Sequence, residues 1–152
     1  MIYFDNPATT FPKPQSLSDE ISRCIKNYCG NPGRSSHSLS LKSAEKIFET
    51  RLLLAELFGA APENVIFTYN TTYALNIAIK TNIKPHGHIL ISDIEHNAVL
   101  RPVNSLSRQN MCSYSLFCTD GSDEEILQSI KDSITDDTFM LVCTYVSNAL
   151  NL

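Results

Sequence analysis

NVIFTYNTTYALNIAIK, residues 64–80, changes its period in the middle. Val65, Ile66, Phe67 and Tyr69 make a short run of β-formers, Asn70, Thr71 and Thr72 are small and polar, and Ala74, Leu75, Ile77, Ala78 and Ile79 continue with helical spacing. The pattern predicts a strand over 65–68, a tight turn and a helix. A helix start leaves backbone N–H groups free and carries a partial positive charge. Two Thr hydroxyls beside those amides make a cup that suits a phosphate. The plainer reading is a Thr cap on an ordinary βα turn.

Working outward, the residues after this stretch repeat the same alternation. HILIS, residues 88–92, reads as a second strand and is followed by DIEHN and a helix through Leu100, Val103 and Leu106. Residues 111–118 read as a third strand. Ser122 and Glu125 then form an S-x-x-E capping box before the stripe Ile126, Leu127, Ile130, Ile134, and residues 138–146 read as a fourth strand. Before the stretch, residues 1–15 carry Pro7, Pro12 and Pro14 and read as an extended arm. One helix is expected from Ser16, closed by Gly30, and a second along Leu41, Ala44, Ile47, Phe48, Leu52, Ala55 and Phe58, ending at Gly59. The whole is α/β: two leading helices over 16–60, then βα units over 61–152 on a parallel sheet with helices on both faces.

Composition narrows the function classes. The chain has 152 residues, 43% of them hydrophobic, with a formal net charge of −4. It is long enough for one domain with a core, and its acidic balance argues against nucleic acid as a partner. No apolar run is long enough to cross a membrane, and MIYFDNPATT lacks the basic start and apolar run of a signal peptide, so the expected compartment is the cytoplasm. The five cysteines are odd in number and contain no C-x-x-C, which does not suit a zinc or iron–sulfur site.

Parallel sheets hold ligands at the carboxyl ends of their strands. Three polar clusters fall there: Thr71 with Thr72, His96 and Asn148. His96 can stack on a flat ring or move a proton; a loop His can equally be only solvated. Asn148 can hydrogen-bond a ring substituent or simply form a turn. Arg34, in NPGRSSH, can meet an anion or stay in water. His86 and His88 read as surface residues at a turn.

Taken together these segments resemble the amino-terminal part of the class V aminotransferases, and among them the cysteine desulfurase-like proteins. The resemblance rests on IYFDNPATTFPKP (2–14), GNPGRSSHSLSL (30–41), VIFTYNTTYALNIAIK (65–80), ISDIEHNAVLRP (91–102) and VSNALNL (146–152), in that order. It implies a three-layer, parallel-sheet fragment of a fold-type I large domain and the cofactor pyridoxal 5′-phosphate. Thr71 and Thr72 would bind its phosphate, His96 would stack on its ring, and Asn148 would hydrogen-bond its phenolic oxygen. Ala8, Thr9 and Arg34 would lie on the substrate side. The implied reaction takes sulfur from cysteine and leaves alanine, in a homodimer with a small amino-acid substrate. Transamination, selenocysteine cleavage and a non-enzymatic phosphate-ligand module are the rival readings.

The chain departs from the family pattern at several points. Pro7 replaces Ala, Ser35 and Ser36 replace Gly, and Asn70 replaces the Gly before the phosphate cup. After Asn148 the family's Gly-Thr is missing, and nothing matches its cofactor-bearing Lys, its pyridine-nitrogen Asp, its substrate Arg or its sulfur-accepting Cys. The expectation is an incomplete piece of such an enzyme, inactive alone. The family's strand order puts 88–92 between 111–118 and 138–146. The 65–68 strand would then either move in beside 138–146 or leave a gap that another chain fills.

Overall fold

The computed structural model describes residues 2–6, 8–33 and 37–147. The chain divides into two units, Met1–Phe67 and Thr68–Leu152.

The first unit opens with an arm that curls on itself instead of extending. The Asp5 carbonyl accepts from the amides of Ala8 and Thr9, both at 3.2 Å. The Tyr3 hydroxyl donates to the Thr9 carbonyl at 2.9 Å, and the Tyr3 and Phe11 rings meet edge-on at 5.5 Å. Local partners thus replace the extended backbone that the prolines suggest. Helix α1, Gln15–Asn27, starts one residue before the expected Ser16 and stops at Tyr28, short of Gly30. Gly30 is needed for another reason. A Cβ there would stand 2.9 Å from the Leu39 backbone, and the Gly30 amide donates to Ser43 Oγ at 3.0 Å.

Helix α2, Ser38–Phe58, begins where His37 Nδ1 accepts the Ser40 amide at 3.2 Å. It ends at Gly59, whose φ of +60° is the left-handed turn that glycine takes without steric cost. A single 3-10 turn, Pro62–Asn64, follows.

Residues 65–68 form no strand. β-Formers alone do not make one, because a strand also needs a ladder partner. Here Ile66 is exposed, and the Arg51 guanidinium lies 5.7 Å over the Phe67 ring.

The second unit carries α3, Thr71–Thr81; β1, Gly87–Ser92; α4, Asn97–Arg108; β2, Cys112–Phe117; α5, Asp123–Ser133; and β3, Thr138–Val142. The three strands are parallel, in the order β2-β1-β3. This is the neighbour order expected for those three strands. β3 stops at Val142, four residues short of the expected end. Every residue of β1 is buried, as a central strand of a parallel sheet requires. Ile89 and Ile91 meet Ile79 of α3 and Val99, Val103 and Leu106 of α4 to form the core. Pro102 lies inside α4 and is buried. The capping box at α5 forms as read: Glu125 N to Ser122 Oγ at 3.3 Å and Ser122 N to Glu125 Oε2 at 2.7 Å.

His88 corrects its reading as a surface residue. It is buried on β1, with Nδ1 2.8 Å from Thr138 Oγ1 and Nε2 2.8 Å from Ser115 Oγ. One imidazole thereby joins the central strand to both neighbours. His86, beside it, is exposed.

Candidate functional site

Thr71 and Thr72 are the first two residues of α3. Neither caps it. The cap is Asn70, whose side chain accepts the Tyr73 amide at 2.8 Å. Asn70 sits at φ −167°, extended backbone open to any residue, so its place in the turn does not depend on tolerance of unusual angles. Its capping role was readable in the Asn-x-x-Tyr spacing, but the two following Thr residues drew the cap assignment away from it. With Asn70 taking the third amide, the amides and hydroxyls of Thr71 and Thr72 have no partner among the described residues. Both residues are exposed. Tyr69 and Tyr73 stand beside this helix start, their rings edge-on at 5.8 Å.

His96 follows β1 and caps α4, its Nδ1 accepting the Ala98 amide at 3.0 Å. An accepting Nδ1 leaves the proton on Nε2, so the ring has a fixed tautomer and a fixed tilt while staying exposed. The loop behind it is held by two contacts. Ser92 Oγ donates to the buried Glu95 at 2.7 Å. Asp93 Oδ1 accepts both the amide (3.2 Å) and the hydroxyl (2.7 Å) of Thr119, past the end of β2. Cys143, just past β3, is pushed up from the ordinary thiol value by burial and then by the Glu95 carboxylate, which keeps it protonated and weakly nucleophilic.

Ala8 and Thr9 are exposed in the curled arm of the first unit. Arg34 and Asn148 lie outside the described residues.

The free amide-and-hydroxyl pair at the α3 start suits an oxyanion such as a phosphate, and the fixed His96 ring suits a planar partner. The family model for aminotransferase class-V matches residues 2–150. The chain belongs to the class V aminotransferase family. Members of this family are pyridoxal phosphate enzymes.

Among curated relatives, cysteine desulfurase IscS of Proteus mirabilis is 31% identical over 99% of the chain and 38% of its own length. The mitosomal cysteine desulfurase of Trachipleistophora hominis is 31% identical over 98% of the chain and 35% of its own length. Among solved structures, the apo cysteine desulfurase of Thermococcus onnurineus NA1 superposes with a TM-score of 0.83 at 28% identity, covering 97% of this chain and 37% of that one. A NifS-like protein gives 0.85 at 25% identity, covering 97% and 41%. The fold is therefore that of the fold-type I class V enzymes. The chain spans between 22% and 38% of the length of such curated relatives.

Proposed function

We propose that the chain forms the phosphate- and ring-holding part of a pyridoxal 5′-phosphate enzyme that takes sulfur from cysteine and releases alanine. The observation that carries this reading is the α3 start, where Thr71 and Thr72 present two amides and two hydroxyls without other partners among the described residues. Topology supports pairing it with His96. α3 ends a few residues before β1 begins, and α4 starts a few residues after β1 ends. Both helices therefore run back along β1 and pack together, which turns both of their N-termini toward the carboxyl end of that strand.

In this reading Thr71 and Thr72 hold the phosphate, and His96 presents its flat face to the pyridine while Ala98 fixes its tilt. Asn148 holds the phenolic oxygen, and Ala8, Thr9 and Arg34 serve the substrate side. When bound, the cofactor supplies an electron sink. The names of the relatives favour cysteine over other amino acids. A homodimer and a cytoplasmic location belong to the same proposal. Among the described residues no helix is long and apolar enough to cross a membrane.

The test is an amide NMR titration of the chain with pyridoxal 5′-phosphate, inorganic phosphate and pyridoxal. Shifts centred on Thr71 and Thr72 are expected from the two phosphate-bearing ligands. A further shift at His96 is expected from the cofactor alone. Hydrogen bonds to a charged group contribute about 1.5–3 kcal/mol, so Thr72→Val should weaken phosphate binding about tenfold or more. Equal shifts from pyridoxal, or shifts centred away from α3, would reject the reading. Borohydride treatment of the cofactor-loaded chain is expected to trap no single lysine.

A further inference from the structure

Residues 93–95 join the end of β1 to His96. Asp93 is tied toward β2: its amide donates to the Phe117 carbonyl at 3.1 Å, and its carboxylate holds Thr119. Glu95 turns back instead. Its Oε1 accepts from Ser92 Oγ at 2.7 Å, and Glu95 and Ser92 are 8% and 0% exposed. His96 then caps α4 while its ring stays exposed.

Capping alone does not account for this buried pair. Asn70 caps α3 by the same kind of bond, at 2.8 Å, and the residue before it, Tyr69, is 92% exposed. A buried carboxylate is also unfavourable unless its charge is offset. Among the described residues the ion pairs are Glu20 with Arg23 and Lys46 with Glu49, both in the first unit, so no Lys or Arg neutralises Glu95. What the pair achieves lies in its geometry. The tip of Glu95 is bound to the last residue of the central strand, and its backbone leads directly into His96. A charged acceptor makes this hydrogen bond stronger than a neutral one would.

We propose, resting on the reading of His96 as the ring that meets the cofactor, that Glu95 seated on Ser92 is a positioning residue for His96. The pair carries the fixed end of β1 through to the imidazole, so the ring is set before a ligand arrives. A ring already held in place loses less freedom when a planar partner stacks on it.

Amide hydrogen exchange tests this without any ligand. The Ala98 amide is bonded to His96 Nδ1 and reports on the ring; the Tyr73 amide, bonded to Asn70, is the internal reference. Glu95→Ala and Ser92→Ala are each expected to speed exchange at Ala98 at least about tenfold and to leave Tyr73 within about twofold. Glu95→Gln keeps an acceptor for Ser92 and should restore most of the protection. In a ligand titration, the affinity for pyridoxal 5′-phosphate relative to inorganic phosphate should fall about two- to tenfold in Glu95→Ala, the span of one ring contact, with phosphate affinity itself unchanged. Unchanged exchange at Ala98 in both alanine variants would overturn the proposal. So would equal acceleration at Tyr73, which marks general loosening, or no recovery in Glu95→Gln. An unaltered affinity ratio, in a chain whose His96 responds to the cofactor, would overturn it as well. If His96 of the unsubstituted chain does not respond to the cofactor, the proposed function fails, and exchange at Ala98 still decides the role of Glu95.

Discussion

The two units of this chain use apolar residues in opposite ways. In the second unit, the central strand and the inner faces of α3 and α4 are buried together, and Phe117 retains 1% of its exposure. In the first unit, α2 is the longest helix and has a clear apolar stripe, yet its buried residues are Ser40, Ser43 and Ala55. Phe58, at its end, is 75% exposed. Periodicity reports which face of a helix is apolar; it does not report what covers that face. The lesson is energetic. Burial of a large apolar side chain contributes roughly 1.5–3 kcal/mol. The described contacts therefore give the second unit most of its stability and leave the first to local hydrogen bonds and caps.

The sharpest way to break this comparison is a pair of phenylalanine truncations followed by urea titration. Phe117→Ala is expected to cost about 3–5 kcal/mol, and Phe58→Ala under about 0.5 kcal/mol. Similar losses would show that α2 is covered in solution. His88→Ala comes next. It removes the link between β1 and both outer strands and leaves the Ser115 and Thr138 hydroxyls without their ring partner. A loss of about 1–3 kcal/mol is expected in the same titration, with no change in the slope that measures surface exposure. Ser122→Ala should cost about 1 kcal/mol by removing the α5 cap, less than either core change.

The smallest effect is in pH. Glu125 lies below its ordinary value of 4.5, first because it accepts the Ser122 amide and then through the Ser122 hydroxyl. A depressed carboxylate stabilises the fold above its unfolded pKa, and this contribution is lost as pH falls through the folded value. The stability difference between the chain and Glu125→Gln should therefore be present at neutral pH and vanish in acid. A difference that persists in acid would assign the effect to packing rather than charge.

Much of the second unit was readable from local signals. The alternation of short apolar runs with capped helical stripes announced α3 to α5 and the parallel strands, because each element carries its own period and cap. The positions of Thr71 and Thr72 at a helix start and of His96 between a strand and the next helix were readable from the same local signals. Asn70 as the true cap was masked by the Thr pair beside it. His88 was misread because an H-x-H pair at a turn looks solvated, and only the neighbouring strands show that its ring is enclosed. The curl of the arm escaped notice because proline limits the backbone without saying which hydrogen bonds bend it.

The sequence by itself determined the order and type of the helices, the family, and which residues stand at the candidate phosphate cup, since period, capping and motif are local properties. Tertiary structure alone decided that residues 65–68 are not a strand, that β3 stops at Val142, that His88 is a buried three-strand link and that the α2 stripe stays open. Each of these depends on a partner distant in the chain. A strand exists only where another offers a ladder, and a side chain is buried only where a second surface closes over it.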